Sequence, residues 1–154
     1  RKESSAASDV YKRQAMNMAK LAFNNDEVPV GAIVVNNGEI IGRGFNQVIT
    51  KNSVSSHAEI NAINQASRFI KNYRLKNCDI YVTLEPCHMC AKAIVDARLK
   101  NLFFGALEPK TGSILSIDNF LDSPHLNHKV SFSSGHLKKE SALLLKSFFQ
   151  AKRF

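Results

Sequence analysis

The segment from Cys78 to Ala106 restricts the fold more than any other part of the chain. "CDIYVTL" is an apolar, β-branched run of strand length, "PCHMCAKAIVDARL" reads as a helix, and "KNLFFGA" is a second apolar strand. Strand, helix and strand in immediate succession predict a right-handed parallel crossover between Ile80 and Phe104. The rest of the chain must then complete an α/β sandwich around one central sheet.

It does so in a regular order. Ala15, Met18, Ala19 and Ala22 recur at helical spacing in a helix predicted from Asp9, which stops at "NNDEVP". "VGAIVVNNGEIIGRGFN" places two β-branched runs around Asn36-Asn37-Gly38, a hairpin signal. "HAEINAINQASRFI" predicts a helix with Ile60, Ile63 and Ala66 or Ser67 on one face. Beyond the crossover, "LEPKTGSILSIDNFLDSPHLNH" is turn-rich. A last helix is predicted from about His136 to Lys152, with Leu137, Leu144, Leu145 and Phe148 inward. No repeat or linker composition divides residues 9–154, which read as a single domain. Residues 1–8, polar and without apolar periodicity, read as a disordered or artefactual leader.

A chain of 154 residues, 44% hydrophobic, can bury one core without disulfide support. Its three cysteines, two of them closely spaced, do not suit a secreted disulfide framework. With no apolar run of transmembrane length, the expected setting is cytoplasmic, without a membrane partner. The formal net charge of +8 permits a polyanionic partner such as RNA but does not require one.

Chemistry concentrates in "TLEPCHMC". Cys87 and Cys90 can grip one metal ion, but two ligands are only half of a closed tetrahedral site. His57 in "SSHAEI" is the best-placed third ligand, expected at the cap or first position of its helix, with Glu59 reaching the same space from the first turn. Helix N-termini favour thiolate over thiol, as ligation requires. Three ligands leave the fourth position to water, the pattern of a catalytic site. A carboxylate beside it can carry protons from water to a ring nitrogen and a leaving amine.

Taken together, "HAE" and "PCHMC" resemble the H-x-E…P-C-x-x-C signature of the zinc-dependent cytidine/deoxycytidylate deaminase superfamily. The segments "EVPVGAIVV", "GRGFN", "NYRL", "FFGA…KTG", "NHKV" and "ALLLKSFF" make the chain most similar to bacterial tRNA-specific adenosine deaminases, from about Tyr11 to the C-terminus. The resemblance implies a three-layer sandwich with a central mixed five-stranded sheet flanked by helices. It implies one Zn2+ per subunit on His57, Cys87 and Cys90, with Glu59 as proton shuttle. Asn46 would hydrogen-bond the adenine ring, Val30 and the backbone of Ala58 would line the base pocket, and the Pro86 carbonyl would lie near the departing amine. The reaction would convert adenosine to inosine at the wobble position of a tRNA anticodon stem-loop, and the enzyme would be a homodimer. Glu108 stands in "ALEPKTG" where the family usually has aspartate. That loop is expected to touch RNA, with Lys110, Lys152 and Arg153 as further contacts.

Two other readings compete. One is deamination of a free base or nucleotide such as guanine, cytosine or dCMP. The other is a zinc-stabilised RNA-binding module without catalysis, which needs a fourth protein ligand. His88 points off the ligand face, Cys78 reads as a small buried residue, and His125, His128 and His136 suit surface or capping roles. Asn46 alone could equally end a strand. Glu85 suits either a cap or a supporting carboxylate, and Phe148 and Phe149 one core and one partly exposed position.

Overall fold

The computed structural model describes residues 5–152. The elements in chain order are α1 (Ser5–Asn24), β1 (Gly31–Asn36), β2 (Glu39–Phe45), α2 (Ala58–Ile70), β3 (Cys78–Leu84), α3 (His88–Asp96), β4 (Asn101–Ala106), β5 (Ser131–Ser133) and α4 (Lys138–Ala151). One 3-10 turn, Phe120–Asp122, interrupts the long connection before β5. Residues 5–8, read above as part of a leader, form the first turn of α1, so this helix begins at Ser5 and not at Asp9. Residues 1–4 lie outside the described residues.

The sheet order is β2-β1-β3-β4-β5. β2, β1 and β3 pair antiparallel, whereas β3–β4 and β4–β5 are parallel, which gives the expected mixed five-stranded sheet. Asn37 and Gly38 turn the β1–β2 hairpin with φ of 51° and 79°, the left-handed pair that this two-residue connection demands. β5 carries no apolar alternation. Its three residues, Ser-Phe-Ser, are a strand only because β4 offers them a free edge.

Both faces of the sheet are covered. Ala32, Val34, Ile80, Val82, Leu102 and Phe104 point to the side of α2 and α3, where Ala58, Ala62, Ile63, Ala66, Ala91, Ile94 and Val95 meet them. Ile33, Val35 and Tyr81 point the other way, against Tyr11 and Ala15 of α1. Within α1, Met16 is fully buried and Met18 only partly so. In α2 the buried stripe is Ala58, Glu59, Ala62, Ile63 and Ala66, and Ile60, expected inside, sits at its margin. Three of its five residues are alanine because α2 lies directly on β2 there. A Cβ at Gly44 would run into the Ala58 carbonyl and Asn61, and one at Gly42 into Ala62 and Ala66. The GRG step of β2 thus sets the height of α2, and with it the position of the helix end that carries His57.

In α4, Phe148 is buried while Phe149 is 46% exposed. Leu144 and Leu145 are only partly covered. Among the described residues, no helix is long and apolar enough to cross a membrane.

Candidate active site

Two helix starts converge at the same end of the sheet. His57 is the N-cap of α2 and Cys87 the N-cap of α3, both with extended backbone and neither using its side chain to cap. The capping of α2 is done from outside, because the Ala58 N–H donates to Asn46 Oδ1 at 2.8 Å. His57 is therefore free to turn its ring toward the thiols. Its Nδ1 lies 3.6 Å from Cys87 Sγ and 3.5 Å from Cys90 Sγ. The three donor atoms lie within 4.8 Å of one another and could hold a metal ion. Among the described residues, no fourth His, Cys, Asp or Glu joins this group.

Charge in the cluster is strongly redistributed. The Cys90 thiol bonds to the Cys87 sulfur and, against the cost of burial, holds Cys87 down at about 4, with His57 adding to the effect. The same bond, together with burial, pushes Cys90 far up. His57 is raised, first by its contact with the Cys87 sulfur and against the effect of burial. Glu59, 4% exposed in the first turn of α2, is pushed up to about 7 chiefly by burial. A carboxyl held there exchanges protons readily at neutral pH.

Beside the cluster is a cavity of about 370 Å³, lined by Val28, Val30, Asn46, Val48, Ile49 and Leu84 and by His57, Glu59, Glu85, Cys87, Glu108 and Thr111. Val30 and Asn46 are locked together, since the Asn46 N–H donates to the Val30 carbonyl at 3.2 Å. Pro86 is placed differently from its expected helical first turn. It precedes the α3 cap and is buried, and its carbonyl accepts the Ser113 N–H at 2.9 Å. Glu108 lines the cavity and accepts the Lys110 N–H at 2.9 Å, with Lys110 itself exposed. Lys152 pairs with Asp26 at 3.2 Å, while Arg153 lies outside the described residues. His88 turns away from the thiols, with its Nδ1 3.0 Å from Ser113 Oγ. Cys78 is buried, and burial lifts its thiol to about 11.

Two carboxylates shape the cavity without any motif to announce them. Glu27, 1% exposed, accepts the Ile49 N–H at 3.2 Å, the Thr50 N–H at 2.6 Å and the Thr50 hydroxyl at 2.7 Å. It thereby fixes the loop after Asn46. Glu85, 2% exposed, accepts N–H groups from Glu108 at 3.0 Å, Ile114 at 3.0 Å, Leu115 at 2.7 Å and Ser116 at 2.9 Å, and also the Ser116 hydroxyl. Burial alone would raise the Glu85 carboxyl, but these donors outweigh it and hold the group below the ordinary carboxylate value. Gly112 is required where the loop crosses, since a Cβ there would strike the Glu85 carboxylate.

This fold and a His-Cys-Cys-Glu cluster beside a cavity with room for a nucleobase point to a deaminase, and comparison with known proteins agrees. The family model for MafB19-like deaminases matches residues 7–153. The tRNA-specific adenosine deaminase of Rickettsia bellii is 46% identical over 90% of this chain and 97% of its own length. That of Aquifex aeolicus is 42% identical over 91% of this chain and 93% of its own. A solved structure from work on A-to-I editing by tRNA:A34 deaminases superposes with a TM-score of 0.85 at 40% identity, covering 88% of this chain and 98% of that one. The chain belongs to the deaminases and, within them, to the tRNA-specific adenosine deaminase family.

Proposed function

We propose that this protein hydrolyses the 6-amino group of adenosine at the wobble position of a tRNA anticodon, with zinc held by His57, Cys87 and Cys90. The observation that carries the reading is the meeting of these three donors with buried Glu59 at the wall of the cavity. Zinc bonds of about 2.3 Å to sulfur and about 2.0–2.1 Å to nitrogen imply tetrahedral S···N edges of about 3.6 Å. The spacings of 3.6 and 3.5 Å fit that donor set. When bound, zinc supplies a Lewis acid that makes water nucleophilic near neutral pH.

Every other part of the chemistry falls to side chains. Water adds at C6 and the C6–N bond breaks, so adenosine and water become inosine and ammonia. Glu59 takes a proton from the water, gives it to the ring nitrogen, and then carries a proton to the departing amine. A carboxyl near 7 suits both directions of transfer, which its burial provides. Asn46 spends Oδ1 on the Ala58 N–H, which leaves the NH2 of the same amide for an acceptor on the base. Val28, Val30 and Leu84 give the base apolar walls. We keep the Pro86 carbonyl, which accepts the Ser113 N–H, near the departing amine and the Ala58 backbone, which donates to Asn46, at the base pocket. We assign Glu108 and Lys110 to the RNA side of the rim. Lys152 and Arg153 remain accessory contacts. A tRNA substrate places the enzyme in the cytoplasm, and we take the working unit to be a homodimer.

The test is deamination, read as inosine from an anticodon stem-loop, from full-length tRNA and from free adenosine, and as released ammonia from guanine, cytosine and dCMP. Turnover on the RNAs alone is expected, and Glu59→Gln should lower it by at least about 100-fold with zinc still bound. Equal turnover on a free base or nucleotide would transfer the assignment to small substrates. Unchanged turnover in the Glu59 variant would overturn the mechanism.

A further inference from the structure

The parallel strands have two ends, and only one of them serves the chemistry. β3 and β4 run side by side from Asp79↔Asn101 to Leu84↔Ala106, and Glu85, Cys87 and Glu108 follow their C-terminal ends. At the N-terminal ends lies a separate cleft of about 370 Å³, lined by Arg74, Lys76, Arg98, Lys100, His128 and Lys129 together with Asn77. Three connections deliver these side chains. Arg74 and Lys76 precede β3, Arg98 and Lys100 precede β4, and His128 and Lys129 precede β5. A seven-residue strand with a rise of about 3.3 Å per residue puts the cleft roughly 20 Å from the cavity beside Glu59.

No carboxylate among the described residues lines the cleft. Among the described residues, Arg74, Lys76, Arg98 and Lys100 make no salt bridge, and Lys129 makes only an exposed one to Asp122 at 3.7 Å. The nearby acids are committed elsewhere, Asp96 to Lys92 at 2.6 Å and buried Asp79 to the Asn101 amide at 2.9 Å. Arg98 adopts a left-handed backbone, φ 63°, a conformation unfavourable for a side chain of its size. So many like charges converging without counter-charge make a site for a polyvalent anion. Among the described residues the lining offers no Phe, Tyr or Trp face on which a base could stack. Its one aromatic ring, His128, is tied by Nε2 to the Leu99 carbonyl at 2.7 Å, so the lining favours a backbone over a nucleobase.

We propose that this cleft is a second RNA site, which grips backbone phosphates of the substrate's paired stem while the target base occupies the catalytic cavity. The proposal rests on the tRNA reading above for the identity of the RNA. Its role is anchorage, so it governs affinity and reach and leaves the chemical step alone.

The test pairs Lys76→Ala/Lys100→Ala with a charge-matched control, Lys139→Ala/Lys146→Ala on the exposed face of α4, using zinc-loaded protein. Arg98 is spared because it also donates to the Val95 and Asp96 carbonyls at 3.2 Å. Binding of full-length tRNA is measured across a salt series, alongside steady-state inosine formation. The cleft variant should lose about 2 from the slope of log Kd against log salt. Its KM on full-length tRNA should rise roughly tenfold with kcat unchanged. A stem-loop cut too short to reach the cleft should respond equally to both proteins, and Lys76→Arg/Lys100→Arg should restore the slope. An unchanged slope, or the same loss in the α4 control, would overturn the proposal. Should wild-type protein make no inosine from any RNA, the catalytic reading falls while the salt slope still decides the cleft.

Discussion

Asn46 Oδ1 accepts the Ala58 N–H at 2.8 Å, so one side chain both caps α2 and lines the cavity. The two duties separate by substitution. Asn46→Ala should cost about 0.5–2 kcal/mol of stability through the lost cap and should also reduce turnover. Asn46→Asp keeps the acceptor, so thermal unfolding should return close to wild type. Turnover should stay low because the NH2 donor is gone. Denaturant unfolding and inosine assays on the same preparations check both halves.

The contact between β2 and α2 yields a second prediction. Gly44→Ala places a methyl group against the Ala58 carbonyl and forces α2 away from the sheet. Overpacking of this kind costs about 1–3 kcal/mol. The shift is transmitted to His57 and Glu59, so turnover should fall further than the loss of folded protein explains. Activity normalised to the folded fraction decides it.

Glu85 gives a pH prediction. Its carboxyl is depressed in the folded protein, so the stabilisation it provides is present above the ordinary carboxylate value of about 4.5 and is lost as pH falls through the folded value. Glu85→Gln should therefore be less stable than wild type at pH 7, by roughly 1–3 kcal/mol for each buried N–H left unpaired, as at Ile114, and by less where the loop is part-exposed. The gap should narrow steadily below about pH 4.5. Urea unfolding at a series of pH values measures it. A gap that stays constant with pH would remove the carboxylate charge from the account.

Metal removal supplies the fourth. His57, Cys87 and Cys90 belong to two different helix starts, so a metal held by them would cross-link α2 to α3. Chelation should abolish turnover and lower the melting temperature together, and added zinc should restore both. Cys90→Ser should bind less than one zinc per chain by elemental analysis.

The sequence already pointed to the three donors that the structure brings together, because the Cys pair and the His-x-Glu motif, neither decisive alone, form a specific combination. The hairpin at Asn37-Gly38 and the parallel β3–β4 crossover were equally legible from turn chemistry and apolar runs. The stripe on α2 was misjudged at Ile60 because closeness to β2, and not hydrophobicity, decides which residues face inward there. β5 could not be read, since Ser131–Ser133 takes its form from the edge of β4. Glu27, and the partners of Glu85 that settle its role as a supporting carboxylate, were hidden for a related reason. The partners of both carboxylates are backbone N–H groups of distant loops, which leave no pattern in side-chain types.

The loop from Glu108 to Ser116, pinned at several points to one buried carboxylate, is a fixed post at the rim of the cavity. It does not behave as a door. A nucleotide that enters must supply the motion itself, by leaving its stack and swinging into a space whose shape is already set. The energetic cost of entry falls on the RNA, and it is least where bases are already loosely held, as they are in a hairpin loop. Rigidity on the protein side thereby becomes a selector for flexible nucleotides, applied before any atom of the base has been read.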